Sequence, residues 1–317
     1  LDDQRDRAIG ADGRVKSRWA YGPWDAMPGT YDSAGFYECQ WGWLMDSQPS
    51  FVTNVAELFD FNGDVEWVRR HKPTCERALD YLLRRDSDGD GLVEMMTDSH
   101  AAGRGSDWID VVWAAHENAL VNAEMYNALS LWADVEEVLG DSAKATQYRA
   151  AAQKLKTGFN KSTAEGGFWD AQNQWFVYWR DKDDSIHGDN LVTPANFMAV
   201  AYGICEDRSR RDTLLRHVEN QMQNEKLFFW PLCFYAYQQG EAHPSQYPFP
   251  TYENGDIFLG WGELAIRAYA RYDPVVAVRC IKNVLDRYAQ DGLAFQRYLR
   301  RSQAGAGGDH GVGARRL

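Results

Sequence analysis

The sequence has 317 residues, of which 44% are hydrophobic and 25% are charged, and its formal net charge is −12. Such an acidic surface repels nucleic-acid backbones and anionic membranes, so we expect neither as a partner. The length allows one large domain or two ordinary ones. The 13 Trp, 16 Tyr and 14 Phe must in part build the core. Several tryptophans stand beside Asp, Asn or Gly in loop-like stretches, however, which favours a second use as stacking platforms for a ligand.

The cysteines and the hydropathy of the sequence further limit the class of protein and its cellular compartment. The five cysteines are scattered, odd in number and without a C-x-x-C spacing, so we expect neither a disulfide framework nor a zinc site. No run approaches the roughly 18 apolar residues of a membrane span. The sequence starts without Met and without a signal-type apolar stretch. Reduced thiols favour the cytoplasm as the compartment.

Residues 1–32 contain many Gly and Pro and are predicted to be irregular. Trp24, Asp25 and Asp32 lie here, and long loops that carry aromatic and acidic residues are candidate binding loops. A single such tryptophan is also commonly a packing anchor. From residue 33 the spacing of apolar residues predicts a helix over 36–44, which includes the candidate platform Trp41.

A turn with Asp86, Asp88 and Asp90 follows the first predicted helical hairpin, formed by residues 49–59 and 65–85. The turn resembles the first half of an EF-hand calcium loop. The twelfth position of such a loop should be a bidentate Glu, and here it is Thr97. A solvated acidic turn is therefore favoured, with calcium as the weaker alternative.

The stretch Gly103–Asp110 places two carboxylates, Asp107 and Asp110, on either side of Trp108 and Ile109. Glycines followed by Ser-Asp are typical of a loop that ends in a helix cap. An acid that can protonate a leaving oxygen, beside an indole that can hold a pyranose ring, suits the chemistry of glycosides. The alternative is an acidic first helical turn beside a buried tryptophan.

The remaining predicted elements are helical pairs separated by aromatic or acidic loops: helices at 118–139 and 143–159, a short strand pair within 165–179, helices at 191–205 and 210–221, an aromatic loop at 228–231, a last helical pair from 252 to 269 and 275 to 288, and a disordered tail at 303–317. This unit of loop, helix, turn and helix recurs four times. Because the enriched loops fall at the same phase of the repeat, stacking the hairpins would gather them on one face. We therefore predict an all-α fold with a single domain over residues 1–302.

Three motifs resemble those of the six-hairpin, or (α/α)6-barrel, glycosidases, which include α-L-rhamnosidases, trehalases and processing α-glucosidases. They are Gly105-Ser106-Asp107-Trp108, Glu117-Asn118 with the Leu139-Gly140 end of the following helix, and Tyr252-Glu253-Asn254-Gly255 with Trp261. The resemblance covers roughly residues 20 to 300 and implies a toroid, or partial toroid, of helical hairpins. Two departures stand out. Four hairpins are counted where the group has six, and Phe295-Gln296-Arg297-Tyr298 resembles the Trp-Glu-x-Tyr context of the base in trehalase-like members but has Gln in place of the Glu.

The resemblance implies hydrolysis of a terminal glycosidic bond, by inversion in most members. We expect Asp107 to be the general acid, Glu253 the base that activates water and Asp110 a residue that orients the acid or binds a hydroxyl. If Gln296 is equivalent to the usual base, Glu253 or Glu263 must replace it. No cofactor is expected. The expected substrate-binding residues are Trp24, Asp25, Asp32, Trp41, Trp108, Trp113, His116, Glu117, Asn118, Trp175, Trp230, Tyr252 and Trp261.

Other interpretations remain open at this stage. His116 is equally typical of a capping or core residue, and Glu253 of a first helical turn. A phosphorylase would need an anion pocket beside Glu253, whereas the central loop offers the single cation Arg104. A non-catalytic carbohydrate-binding or scaffold protein would keep the aromatic face without a working acid-base pair. An incomplete toroid would expose apolar helix faces, so self-association is a further expectation.

Overall fold

The computed structural model describes residues 1–16, 29–31, 37–39 and 43–306, with side chains outside 29–31 and 37–39. Contacts divide the chain into two compact units. The first comprises Leu1–Phe168 and Trp179–Ser185, and the second comprises Trp169–Tyr178 and Ile186–Leu317. The single domain over residues 1–302 stays a prediction.

Helices dominate the described residues, which confirms the all-α class. They are α1 (Asp2–Arg7), α2 (Ser47–Asn62), α3 (Val65–Leu83), α4 (Ala119–Val138), α5 (Ser142–Asn160), α6 (Thr193–Ala201), α7 (Arg208–Glu225), α8 (Gly262–Tyr272) and α9 (Pro274–Asp291). The strands are two or three residues long: β1 (Gly29–Tyr31), β2 (Tyr37–Cys39), β3 (Glu117–Asn118), β4 (Trp169–Asp170), β5 (Trp175–Phe176), β6 (Trp179–Arg180), β7 (Ile186–His187), β8 (Ile257–Phe258), β9 (Arg297–Tyr298) and β10 (Gly305–Ala306).

The first unit is built from two helical hairpins, α2–α3 and α4–α5, in which α2 also packs on α4. The turn between α2 and α3 follows from its sequence. Gly63 ends α2 with a positive φ of 67°, and the Asp64 side chain caps α3 by accepting the Trp67 N–H at 2.9 Å. Strand β3, which leads into α4, pairs antiparallel with β6.

The second unit contains α6 to α9, in which α6 packs on α8 and α8 on α9. Asp273 ends α8 and caps α9, whose first residue is Pro274, a favourable first position for a helix. Strand β9 pairs with β8 and β10. A buried Arg300 fixes the segment after β9, because its guanidinium donates to the Cys233 carbonyl at 2.9 Å and forms an ion pair with Glu225.

Four sequence predictions need correction. Residues 37–39 form β2, paired with β1, where a helix over 36–44 was expected, because a nine-residue window does not separate the two periodicities. The N-terminal 32 residues, expected to be irregular, contain α1 and β1. The last pair starts at α8, so residues 252–261 precede the helix. Residues 303–306, assigned to a disordered tail, include β10, and 307–317 lie outside the described residues.

Candidate active site

The loop that carries Asp107 is held against the start of α2. The Met45 N–H donates to the Ser106 carbonyl at 2.7 Å, and the Trp108 N–H donates to Asp46 Oδ2 at 2.9 Å. Gly105 is required here, because a Cβ atom at this position would lie 2.6 Å from the Asp110 carbonyl oxygen. The backbone on both sides of Asp107 is therefore fixed by Met45 and Asp46, immediately before α2, rather than by a helix of its own.

Asp107 itself is fully buried and is positioned by the residue that begins α4. Its Oδ2 accepts from Asn118 Nδ2 at 2.7 Å, and its Oδ1 accepts from the Ile109 N–H at 2.8 Å. Asn118 Oδ1 also accepts the Leu120 N–H at 2.8 Å and so caps α4. The expected cap at Ser106-Asp107 is thus wrong, because the cap of the following helix is Asn118, eleven residues after Asp107.

Two further carboxyl groups, Asp46 and Glu124, interact with Asp107. Burial, reinforced by the negative charge of Asp107, raises the pKa of Asp46 from 3.8 to about 8. Burial, with Asp46 and Asp107 as the next causes, raises the pKa of Glu124 well above its ordinary value. Like charges that share a desolvated region do not all ionise, so this carboxyl cluster retains protons at neutral pH. The cluster of Asp46, Asp107 and Glu124 was not predicted, although Glu124 interrupts the apolar start of α4.

Aromatic surface is available beside the carboxyl cluster. Trp108 is 38% exposed, while Trp113 and Asp110 are half-buried. Trp43, which the sequence analysis did not single out, is also exposed, and the Arg104 guanidinium lies 5.6 Å from its ring centroid. Trp108 and Trp43 are therefore the exposed indoles of this part of the chain.

His116 and Glu117 make contacts inside the protein. Glu117 is buried and its carboxylate pairs with Arg180, across the β3–β6 ladder. Burial raises the pKa of Glu117, and the Arg180 charge opposes that shift and favours the carboxylate. His116 has a positive φ of 32° and donates its backbone N–H to the Thr97 carbonyl at 2.8 Å. The contacts of both residues connect separate segments of the first unit, which favours a structural role over sugar binding.

The predicted base Glu253 lies in a tight turn of the second unit. It is buried, and its backbone N–H donates to Gln246 Oε1 at 3.1 Å. Its neighbour Tyr252 has a positive φ of 50°, and Gly255, at φ 107°, leaves no room for a Cβ against the Phe249 ring. Glu253 is thus a buried turn residue, nine positions before α8, and a first-turn position is excluded.

The Tyr252 ring is covered by a guanidinium. Arg297 lies 5.1 Å from the ring centroid and 3.6 Å from Asp256 Oδ2, so its charge is balanced within the turn. Gln296, next to it, is exposed, and its carbonyl accepts the Leu259 N–H at 3.4 Å. Trp261 is half-buried at the start of α8.

Two of the predicted platforms belong to the core of the second unit. Trp230 is buried and stacks on Tyr269 at 5.5 Å between ring centroids. Trp175 is buried, stacks on Tyr235 and donates its indole N–H to the Asp189 carbonyl at 3.0 Å. Neither presents a free face to a sugar, because burial in this unit covers both. Trp24, Asp25, Asp32 and Trp41 lie outside the described residues.

The acidic turn brings carboxylate oxygens of Asp86, Asp88 and Asp90 within 4.8 Å of one another. Its side chains also cap the turn: Asp90 Oδ1 accepts the Leu92 N–H at 2.7 Å, and Lys154 Nζ lies 2.5 Å from Asp86 Oδ2. An ammonium group beside the cluster already compensates part of its charge. Calcium binding remains the weaker prediction.

None of the described helices combines the length and the hydropathy that a bilayer crossing requires.

Solved structures with the same fold include glycosidases. A GH63 mannosylglycerate hydrolase from Thermus thermophilus, in complex with Tris and D-glycerate, matches with a TM-score of 0.72 at 14% identity, over 97% of this chain and 84% of that one. A rhamnosidase from Klebsiella oxytoca with rhamnose bound has a TM-score of 0.59 at 16% identity, over 90% of this chain and 44% of that one. A GH78 family rhamnosidase of Bacillus sp. GL1 has a TM-score of 0.58 at 12% identity, over 81% and 23%.

These identities establish the fold alone, and no curated protein matches the sequence. The sequence itself matches the bacterial alpha-L-rhamnosidase 6 hairpin glycosidase domain over residues 26–227, which is more than half of the chain. The helical pairs and the loop carboxylate before α4 agree with this family match. The chain belongs to the bacterial α-L-rhamnosidase six-hairpin glycosidase family.

Proposed function

We propose that this protein hydrolyses a terminal glycosidic bond by acid/base catalysis, with Asp107 as general acid and Glu253 as the base that activates water. The family match and the rhamnose-bound relative favour an α-L-rhamnoside as substrate. Mannosylglycerate, the substrate that names the Thermus relative, is the next candidate. Inversion at the anomeric carbon is part of the proposal.

The observation that carries the proposal is the carboxyl cluster around Asp107. A general acid must hold a proton at the working pH, which a free carboxyl does not. Burial and neighbouring carboxyls are the usual means of keeping that proton. Asp46 and Glu124, whose pKa values are raised, hold protons in the same buried region, so protons are kept within the cluster to which Asp107 belongs, and the Asn118 amide fixes one oxygen of Asp107. The exposed indole of Trp108 would hold the apolar face of the sugar.

Glu253 is proposed as the base because it is the buried loop carboxylate in the motif that resembles the family's late hairpin. Its position opposite Asp107, at the separation of about 6.5–9.5 Å that admits a water in inverting enzymes, stays a prediction. Glu263 is the competing base. It is exposed in the first turn of α8 and pairs with Arg267 at 2.9 Å, which disfavours a catalytic role.

The dependence of the rate on the leaving group tests whether Asp107 is the general acid. Asp107→Asn and wild type are compared on nitrophenyl and alkyl α-L-rhamnosides, with Asp60→Asn, which changes an exposed carboxylate of α2, as the matched control. A good leaving group needs little protonation, so Asp107→Asn is expected to lose about 10²–10⁴-fold in kcat/KM on the alkyl glycoside and much less on the nitrophenyl glycoside. Equal losses on both substrates would remove Asp107 from the role of acid.

Glu253→Gln, with Glu263→Gln as control, tests the base on the same substrates. We expect a loss of about 10²–10⁴-fold for Glu253→Gln that does not depend on the leaving group, and near wild-type rates for Glu263→Gln. Proton NMR of the first product anomer reports inversion or retention. Full activity of Glu253→Gln, or retention of configuration, would contradict the two-carboxylate inverting scheme.

The two alternative functions, a phosphorylase and a carbohydrate-binding protein, can be recognised in the same assays. Turnover that requires inorganic phosphate and releases a sugar phosphate would identify a phosphorylase, which the balanced charge of Arg297 disfavours. Binding of rhamnose without turnover of any glycoside would identify a carbohydrate-binding protein, the interpretation that Gln296 keeps open.

A further inference from the structure

Helix α9 carries a continuous apolar stripe on its exposed side. The stripe consists of Val275, Val278, Ile281, Leu285 and Tyr288, whose exposed fractions lie between 42% and 75%. Intervals of three and four residues place these side chains along one side of a helix. The opposite side of α9 holds the buried residues Val276, Ala277 and Cys280, which pack into the second unit. The helix is therefore apolar on two sides, and its own unit covers only one of them.

Four of the five stripe residues are placed symmetrically about residue 283, and Val275 lies beyond them at one end. Val278 and Tyr288 lie five residues to either side of that position, and Ile281 and Leu285 lie two residues to either side. If two α9 helices pair antiparallel around a two-fold axis at residue 283, Val278 faces Tyr288 and Ile281 faces Leu285 of the second copy. A self-complementary patch of this kind is what a two-fold homodimer requires.

Two opposite charges lie beside the stripe and close to the same axis, Lys282 one residue before position 283 and Asp286 three residues after it. Lys282 and Asp286 are exposed at 70% and 63% of their side chains and form an ion pair within the helix. In the antiparallel arrangement Lys282 of one copy comes within about one helical turn of Asp286 of the other, a gap that a lysine side chain spans. Opposite charges therefore meet twice across the axis.

The surface available is enough for a weak dimer. The stripe exposes roughly 500 Å² per copy, so a pair would bury at most roughly 1,000 Å², at the lower limit of specific interfaces. An apolar patch of that size on a protein surface commonly marks an interaction site. We infer that α9 is the interface of an antiparallel homodimer, formed by its exposed apolar stripe.

Sedimentation velocity from about 1 to 300 μM, at physiological ionic strength, tests the inference, since interfaces of this size are typically weak. Wild type is expected to shift from monomer to dimer within that range, and Leu285→Glu to raise the dissociation constant at least tenfold. Val138→Glu, at an equally exposed apolar position (63%) on α4, is the matched control and should dimerise like wild type. A wild type that stays monomeric throughout, or a dimer that Leu285→Glu leaves intact, overturns the proposal.

A charge exchange tests the antiparallel orientation. Lys282→Asp and Asp286→Lys each place like charges across the axis, so each variant alone should dimerise more weakly than wild type. An equimolar mixture of the two restores both opposite-charge pairs and should form heterodimers with near wild-type affinity. Circular dichroism confirms that the variants are folded. A mixture no tighter than either variant alone would exclude the antiparallel register.

Discussion

Replacement of Asp46 by Asn tests the carboxyl cluster through the pH dependence of stability. The Asp46 carboxyl has an ordinary pKa of 3.8, which the folded state raises to about 8. Between these values the folded protein binds a proton that the unfolded chain has released. The free energy of unfolding therefore decreases as pH rises through this window, and the stabilising contribution is fully present only below about pH 4.

The size of the effect follows from the raised pKa. One pH unit corresponds to about 1.4 kcal/mol, so the proton that Asp46 keeps only in the folded state lowers the free energy of unfolding by about 4 kcal/mol between pH 4 and 7. Asp107 and Glu124 take part in the same titration, and we therefore expect a measured difference of about 2 to 4 kcal/mol. Asparagine is neutral and its Oδ1 can still accept the Trp108 N–H. Asp46→Asn should thus gain stability relative to wild type as pH rises.

Urea unfolding followed by tryptophan fluorescence, at pH 4.5, 5.5, 6.5 and 7.5, measures the difference. Asp60→Asn removes an exposed carboxylate from α2 and is the matched control, with a profile expected to run parallel to wild type. If Asp46→Asn also runs parallel to wild type, within about 0.5 kcal/mol, the Asp46 carboxyl is ionised in the folded protein and the cluster does not hold protons.

Three other predictions concern the scaffold around the site. Asn118→Ala should destabilise by about 2–4 kcal/mol in urea unfolding, through the lost cap and an unpaired buried acceptor. Asn118→Ser keeps a side-chain acceptor for the cap and should cost less stability than Ala, yet it removes the amide donor, so activity falls in both; an equal loss of stability would refute the capping role. Glu117→Gln and Arg180→Met should each cost about 3–5 kcal/mol, whereas Glu117→Leu/Arg180→Met should cost less than either. Additive losses in that double-mutant cycle would contradict a buried ion pair. Calcium at about 1 mM should change Tm by less than about 1 °C, because the Lys154 ammonium contacts the acidic turn; a larger rise that Asp88→Ala abolishes would establish a calcium site.

Local sequence signals predicted the helices well and the site only in part. Helix α4 was expected over 118–139 and runs Ala119–Val138, since its apolar period and its Asn cap are both local. The Ser106-Asp107 pair has the same local chemistry but caps no helix, because contacts with Met45 and Asp46 hold that backbone. Such contacts join residues some sixty positions apart and are not visible in a local pattern.

The same reason explains the residues that sequence analysis missed or misassigned. Asp46 and Glu124 join Asp107 only when α2 and α4 pack, and Arg180 meets Glu117 only when β6 pairs with β3. Packing between elements also decides which tryptophans are exposed and which are buried. Trp108 and Trp230 both stand in aromatic loops of the sequence, yet one is exposed and the other buried, because the packing of α8 against α6 covers Trp230 through Tyr269.

The pairing of β3 with β6 also has a consequence for synthesis on the ribosome. The segment from residue 103 to 118 leaves the ribosome well before residues 179–180, which complete its ladder and neutralise Glu117. Until then the Glu117 carboxylate of the nascent chain, two residues before α4, has no Arg180 counterion. Translation must therefore pass residue 180 before the Glu117 end of this loop is paired and neutralised, and a fragment that stops at α5 should be sensitive to protease around residue 117.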